Sequence, residues 1–278
     1  MRVISDFPGG NAEVVELDVP GQRVRLRPRV ETDGSWEAWW WCRIEHVNPN
    51  RPVVLELTGG TPRGERSWAW GRTAVRDATG EWRLAEPGTP IQDVRGPILR
   101  YTVAIQGDAA ELAYAIPYTR CDVARWKTEM RQARGVEAFT LCHSRGGHPI
   151  DGIRLRSERQ HSPVAVVVAR QHAFESGASW VCDRLSRWLL SNAPAASTLR
   201  SGIEWIFIPL VDVDSVAAGR SGKLQPPHDH NRDWTSTPHW PETRALQTLL
   251  RDLLQAQRLC AVVDLHGPGR TAPYFFMT

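Results

Sequence analysis

The run Val-Ala-Val-Val-Val-Ala at 164–169 is apolar at every position. Side chains of a strand alternate between its two faces, so such a segment must be covered above and below. Segments with helical spacing flank it: DVARWKTEMRQAR at 122–134 and GASWVCDRLSRWLLSN at 177–192. The second is expected to bury Trp180, Leu185, Trp188 and Leu189. Strand WIFIPLVDV at 205–213, helix PETRALQTLLRDLLQAQRL at 241–259 and strand CAVVDL at 260–265 continue the alternation. This order predicts a layered α/β domain, a mixed sheet flanked by helices.

Residues 1–117 follow another pattern. Short apolar or alternating runs (AEVVELDV, QRVRLRPRV, WWWCRIEHV, PVVLELTGG, ILRYTVAIQG, ELAYAI) are separated by turn residues such as PGG, PGQ, DGS and NPN. They predict an antiparallel β-sandwich with no helix. The change falls near Pro117, giving two domains, 1–117 and 118–278. A chain of 278 residues can bury such cores without disulfide or metal staples.

A net charge of +3, spread along the chain, argues against a dedicated nucleic-acid binder. Five cysteines without a C-x-x-C pair read as reduced thiols and point to a cytoplasmic setting. The start lacks a signal-peptide core, and no apolar run approaches the roughly 18 residues of a membrane span. A soluble protein that engages neither membrane nor nucleic acid is expected; no feature specifies an oligomeric state. Tryptophans cluster in WEAWWW at 36–41, where core packing is expected, and in RGERSWAWGR at 63–72, where packing and cation–π contact are expected over stacking on bases.

His172 and Glu175 follow the buried strand directly, in RQHAFESGASW, and His266 follows CAVVDL. Ligands collect at strand ends in open α/β sheets. Two imidazoles and a carboxylate can hold zinc with a fourth position open to water or substrate. H-x-x-E is a weak signal among 9 histidines, and a competing reading places Glu175 near a helix N-terminus for its dipole. The irregular stretch 214–240 is too long for a plain connector. Within it, DHNRDW sets Asn231 beside Arg232, whose planar fork suits a carboxylate such as a free C-terminus, or alternatively a loop-ordering ion pair. His228 and His230 are expected to order the loop, not to ligate. Asp264 either orients His266 or caps backbone amides. His143 and His148 flank a glycine turn and are expected at the surface.

The order H-x-x-E, arginine, N-R-x-W and D-L-H-G resembles the zinc metallocarboxypeptidases, in particular their cytosolic carboxypeptidase branch. That branch has an amino-terminal β-sandwich joined through a segment similar to AYAIPYTRCDVARW, and TLCHSRGGHPIDGIRL at 140–155 resembles its strand pair before the ligands. The resemblance implies one Zn2+ per chain on His172, Glu175 and His266. Asn231 and Arg232 would bind the terminal carboxylate of a peptide or protein tail. Arg220, in AAGRSGK, would polarise the scissile carbonyl and stabilise its oxyanion, a task suited to a fixed guanidinium. The implied activity is hydrolysis of the last peptide bond by zinc-activated water.

HAFE lacks the family's proline and glycine, and VDVDSV replaces its proline-aspartate-glycine; both changes alter turns, not ligands. The family's general base is a glutamate far downstream of the third ligand, whereas the sequence reaches Thr278 soon after His266. A catalytic domain incomplete at its C-terminus is therefore expected, with TAPYFFMT opening a further strand. Two other readings are an aspartoacylase-like deacylase of N-acyl amino acids and a non-catalytic, zinc-dependent binder of peptide C-termini. The sandwich and N-R-x-W favour the peptidase.

Overall fold

A computed structural model describes residues 1–29, 36, 38–59, 72–94 and 96–267. TAPYFFMT and nearly all of RGERSWAWGR lie outside the described residues. The described residues group into two compact units: Met1–Pro117 with Val216–Pro226, and Tyr118–Ser215 with Pro227–Gly267.

The first unit holds β1 (Arg2–Ile4), β2 (Glu13–Asp18), β3 (Arg23–Arg27), β4 (Trp41–Glu45), β5 (Val53–Leu57), β6 (Ala74–Arg76), β7 (Trp82–Leu84), β8 (Thr89–Asp93), β9 (Gly96–Val103) and β10 (Ala109–Ala113). They form two five-stranded sheets, β1-β4-β10-β6-β7 and β2-β3-β5-β9-β8. Buried side chains of both sheets, among them Leu26, Leu55 and Tyr101 with Cys42, Ile44 and Leu112, form one apolar cluster. Trp39, Trp40 and Trp41 are buried, as WEAWWW suggested.

The purely antiparallel expectation needs one correction, because β3 and β5 run parallel with Val24 opposite Leu55. Between them the chain passes through β4, in the other sheet, and so re-enters the first sheet in its original direction.

The returning segment Val216–Pro226 is knitted into this unit. Gly9 donates its N–H to the Ala217 carbonyl (2.9 Å), Asn11 Nδ2 donates to the Gly219 carbonyl (2.8 Å), and Ser221 Oγ accepts the N–H groups of Ala38 and Trp39 (2.8 and 3.0 Å). Gly219 has φ +71°, and a Cβ there would lie 2.5 Å from the Gly10 carbonyl oxygen, so only glycine fits.

The second unit comprises α1 (Arg120–Met130), β11 (Val136–His143), β12 (Pro149–Leu155), β13 (Val164–Ala169), α2 (Ser176–Leu189), α3 (Pro194–Gly202), β14 (Glu204–Ile208), the start of α4 (Val213–Ala218), α5 (Pro241–Gln255) and β15 (Leu259–Leu265). The sheet order is β11-β12-β14-β13-β15. β12 is antiparallel to β11 and β14, while β13 is parallel to β14 and β15, which makes the sheet mixed. All six residues of β13 are buried, as an unbroken apolar run requires.

Two expectations differ from the structure. The strand expected over 205–213 ends at Ile208, because Asp212 Oδ1 accepts the N–H of Ser215 (3.1 Å) and opens α4. Helix α2 buries Leu189 as anticipated, but the rest of its inward face is Ala178, Ser179, Cys182, Asp183 and Ser186. Trp180 and Leu185 are half-buried and Trp188 is exposed. The inward polar groups find partners, since Tyr118 donates its hydroxyl to Asp183 Oδ2 (3.2 Å) and Trp126 Nε1 donates to Ser186 Oγ (3.0 Å). Small, hydrogen-bonded residues let this helix sit close, and the large rings turn outward. Among the described residues, no helix is long and apolar enough to cross a membrane.

Candidate metal centre

β13 and β15 are parallel neighbours with Ala169 opposite Leu265, so the segments that follow them leave the same edge of the sheet. That register brings His172 and Glu175 to His266 across 91 residues of chain. After β13 the backbone turns at Arg170, a buried non-glycine residue at φ +67°. Its guanidinium donates from Nε to the Ala173 carbonyl (2.9 Å) and from Nη1 to the Tyr118 carbonyl (3.2 Å) and Ser179 Oγ (3.3 Å). These bonds brace the ligand turn and offset the cost of its left-handed conformation.

Around Glu175 the geometry is nearly two-fold. Oε1 lies 3.2 Å from His172 Nδ1 and Oε2 lies 2.9 Å from His266 Nδ1. The far side of each ring meets another carboxylate: His172 Nε2 is 3.7 Å from Asp229 Oδ2, and His266 Nε2 is 2.9 Å from Asp264 Oδ2. At His266 the Asp264 carboxylate within hydrogen-bond distance favours a proton on Nε2, as outer partners of metal-bound histidines do, whereas Asp229 stands beyond hydrogen-bond distance of His172 Nε2. One atom from each of His172, Glu175 and His266 lies within 4.8 Å of the others.

Burial works against charge on every member, and the mutual contacts overcome it. Glu175 is pushed up by desolvation, yet its hydrogen bonds from His172 and His266 pull its pKa down to about 2. Desolvation disfavours charged His266, but Asp264 and Glu175 raise it to about 10. His172 is likewise disfavoured by burial and raised on balance by Asp229 and Glu175. In the metal-free protein the imidazoles thus hold protons where a cation would sit.

The residues fit a zinc ion. Two nitrogens and one carboxylate are a catalytic donor set for zinc. Both rings turn Nδ1 toward the Glu175 carboxylate, so the three donor atoms converge.

Asp229 belongs to the loop that carries the expected carboxylate-binding pair. A short 3-10 turn, His230–Arg232, presents Asn231 half-buried and Arg232 exposed. Asp233 clamps the far side of the loop by accepting the N–H groups of His239 and Trp240, both at 2.8 Å. His230 faces away from the centre: it is buried, 2.6 Å from Glu242 Oε1, 3.6 Å from Asp212 Oδ2, and stacked on Trp240. His148 is half-buried, not at the open surface, with Nδ1 2.8 Å from Asp214 Oδ1; His143 is exposed. Arg220 falls in the segment Val216–Pro226, which groups with the first unit.

Sequence reasoning passed over three residues of this architecture: Arg170, Gln171 and Asp229. An arginine closing an all-apolar run was the available signal for Arg170. Asp229, two residues before Asn231, carried none by itself.

The fold is that of solved carboxypeptidases. A metallo-carboxypeptidase from Burkholderia cenocepacia superposes with a TM-score of 0.80 at 20% identity, covering 96% of this chain and 70% of that one. A Pseudomonas aeruginosa metallo-carboxypeptidase solved with (2-guanidinoethylmercapto)succinic acid gives 0.78 at 20% identity, with coverage of 96% and 70%. The zinc carboxypeptidase family model, Peptidase_M14, matches residues 126–277, and the chain belongs to that family. Among curated proteins, human cytosolic carboxypeptidase 2 is 25% identical over 301 residues, covering 96% of this chain and 32% of its own length. The Danio rerio protein of that name is 26% identical over 176 residues, covering 59% and 24%. The chain thus spans a quarter to a third of the length of these relatives.

Proposed function

We propose that this chain forms the zinc- and substrate-binding part of a metallocarboxypeptidase that removes the last residue of a peptide or protein tail. One zinc ion is held by His172 Nδ1, the Glu175 carboxylate and His266 Nδ1. The observation that carries this reading is the orientation of both rings, with Nδ1 toward Glu175 and Nε2 toward a separate aspartate. Zinc, when bound, lowers the pKa of its water towards about 7 and polarises a carbonyl.

The remaining work falls to this chain's side chains. Asn231 and Arg232 hold the terminal carboxylate and so fix which bond is presented. Arg220 donates to the oxygen that gains charge in the transition state, a contribution on the order of 3 kcal/mol. Asp229, Glu175 and Asp264 each face an imidazole and keep the ligand set oriented. This reading leaves the proton of the attacking water to the glutamate that the family carries beyond its third ligand. The first unit is read as a β-sandwich, a reading its two sheets and common core support. The relatives' names and the scattered cysteines support a cytoplasmic location.

The test is calorimetric titration of the zinc-loaded protein with one peptide carrying a free C-terminus and its C-terminally amidated twin. The free acid is expected to bind at least about tenfold tighter, and Arg232→Ala to erase that preference, since a charge-assisted pair contributes roughly 1.5–3 kcal/mol. Equal affinity for both peptides would overturn the proposal. Mass spectrometry of the mixture separates hydrolysis, seen as a shortened peptide, from binding alone.

A further inference from the structure

Gln171 immediately precedes His172 and is 1% exposed. Its amide joins two parts of the site that no ligand joins. Oε1 accepts a hydrogen bond from Trp234 Nε1 at 2.7 Å, and Nε2 donates to Asp264 Oδ2. The orientation of the amide is not free to flip, because indole Nε1–H is only a donor and an ionised carboxylate only an acceptor. Asp264 Oδ2 also meets His266 Nε2 at 2.9 Å. The result is a continuous path: Trp234 to Gln171, Gln171 to Asp264, Asp264 to His266.

Trp234 stands two residues after Arg232, on the loop that Asp233 clamps. Trp234 is 38% exposed, and its indole N–H is held by Gln171. We propose that Gln171 is a positioning residue that couples the carboxylate-binding loop to the metal centre. When Trp234 is seated, the Gln171 amide is oriented, Asp264 is held, and the His266 ring is fixed with Nδ1 toward Glu175. Displacing either end leaves half of a buried amide unsatisfied, which makes intermediate arrangements costly. Metal occupancy and capture of a terminal carboxylate therefore favour the same state of the path, and each tightens the other by the same factor. This inference rests on the carboxypeptidase reading of His266 and Arg232.

The experiment measures zinc affinity by competition with a chromogenic chelator, with and without a saturating free-acid peptide, for the native chain, Gln171→Met and Trp234→Phe. Methionine matches glutamine in length but has no amide, and phenylalanine removes the indole N–H from an exposed site. In the native chain the peptide should tighten zinc by at least about fivefold. Each variant should bind zinc roughly tenfold more weakly and lose the peptide's effect. The double variant should be no worse than either single one. Thermal melts of the metal-free proteins should stay within a few degrees of one another, which separates positioning from a general packing role. Native zinc affinity in Gln171→Met, or an undiminished peptide effect in either variant, would overturn the coupling while leaving the metal centre standing. Failure of the native chain itself to hold zinc would overturn the carboxypeptidase reading along with it.

Discussion

Two buried carboxylates, one in each unit, show how similar charge clusters serve different ends. Glu56 in β5 is fully buried; its Oε2 receives Arg25 Nε at 2.9 Å and its Oε1 receives Arg100 Nε at 2.9 Å. Arg25 in turn pairs with Asp93 at 2.7 Å. Burial pushes the Glu56 carboxyl up, and the bonds from Arg100 and Arg25 bring it below its ordinary range. Glu175 is also buried and also ionised, but its partners are imidazoles. Guanidinium cannot surrender its proton in a protein, so the Glu56 cluster is closed to any other cation. Imidazolium can exchange its proton for a metal, so the Glu175 cluster is a site in waiting. What makes a buried acid functional is thus the lability of the cation beside it, not the depth of its burial.

The contrast can be broken most decisively at the ligands. His172→Ala should abolish zinc retention through dialysis against a weak chelator, a loss beyond the roughly 100-fold that outer partners reach, while the metal-free fold still melts cooperatively. Metal analysis of the dialysed protein checks this, and normal zinc content would sink the ligand assignment.

Glu56→Ala should do the reverse. Removing the acid that Arg25 and Arg100 share, with Asp93 still paired to Arg25, should cost about 1.5–3 kcal/mol in urea denaturation, with zinc affinity unchanged; a stability within about 0.5 kcal/mol of native would refute the closed-cluster reading.

The smallest effect is one of pH. In the metal-free protein, the Glu175 contribution is complete above its ordinary pKa of about 4.3 and is lost as pH falls towards about 2. The His266 contribution is complete below its ordinary pKa of about 6.5 and is lost as pH rises towards about 10. Zinc must displace that His266 proton, so it binds more strongly over the same rise. The gap in melting temperature between loaded and metal-free protein should therefore widen from about pH 6.5 to 9. Scanning fluorimetry reads it directly, and a gap that stays constant would mean no proton leaves the site.

Much of the sheet that carries the site could be read from sequence because burial leaves a pattern. Val164–Ala169 is apolar throughout and became a strand paired on both sides, and the residues after it and after Leu265 emerged together because the two strands are parallel neighbours. The helical period of α2 was also visible, but not its inward face. That choice was made by Tyr118 and Trp126, whose donors stabilise Asp183 and Ser186 in the interior, and no local pattern announces partners so far away. The three-residue strands β6 and β7 are too short to show a period. At the candidate metal centre the proposed ligands had motif spacing to reveal them, whereas Asp229 and Gln171 meet their partners through contacts that exist only after folding.

The seating of Val216–Pro226 against Gly9, Asn11, Ala38 and Trp39 also sets a schedule for biosynthesis. The Ala38 and Trp39 amides gain their Ser221 partner only once that residue has left the ribosome, although all ten described strands of the unit are complete by Ala113. At roughly 5–20 residues per second, the emerging chain waits on the order of 5–20 s with that edge open. The time taken to synthesise residues 114 to 221 therefore sets how long those two amides must rely on water instead of Ser221.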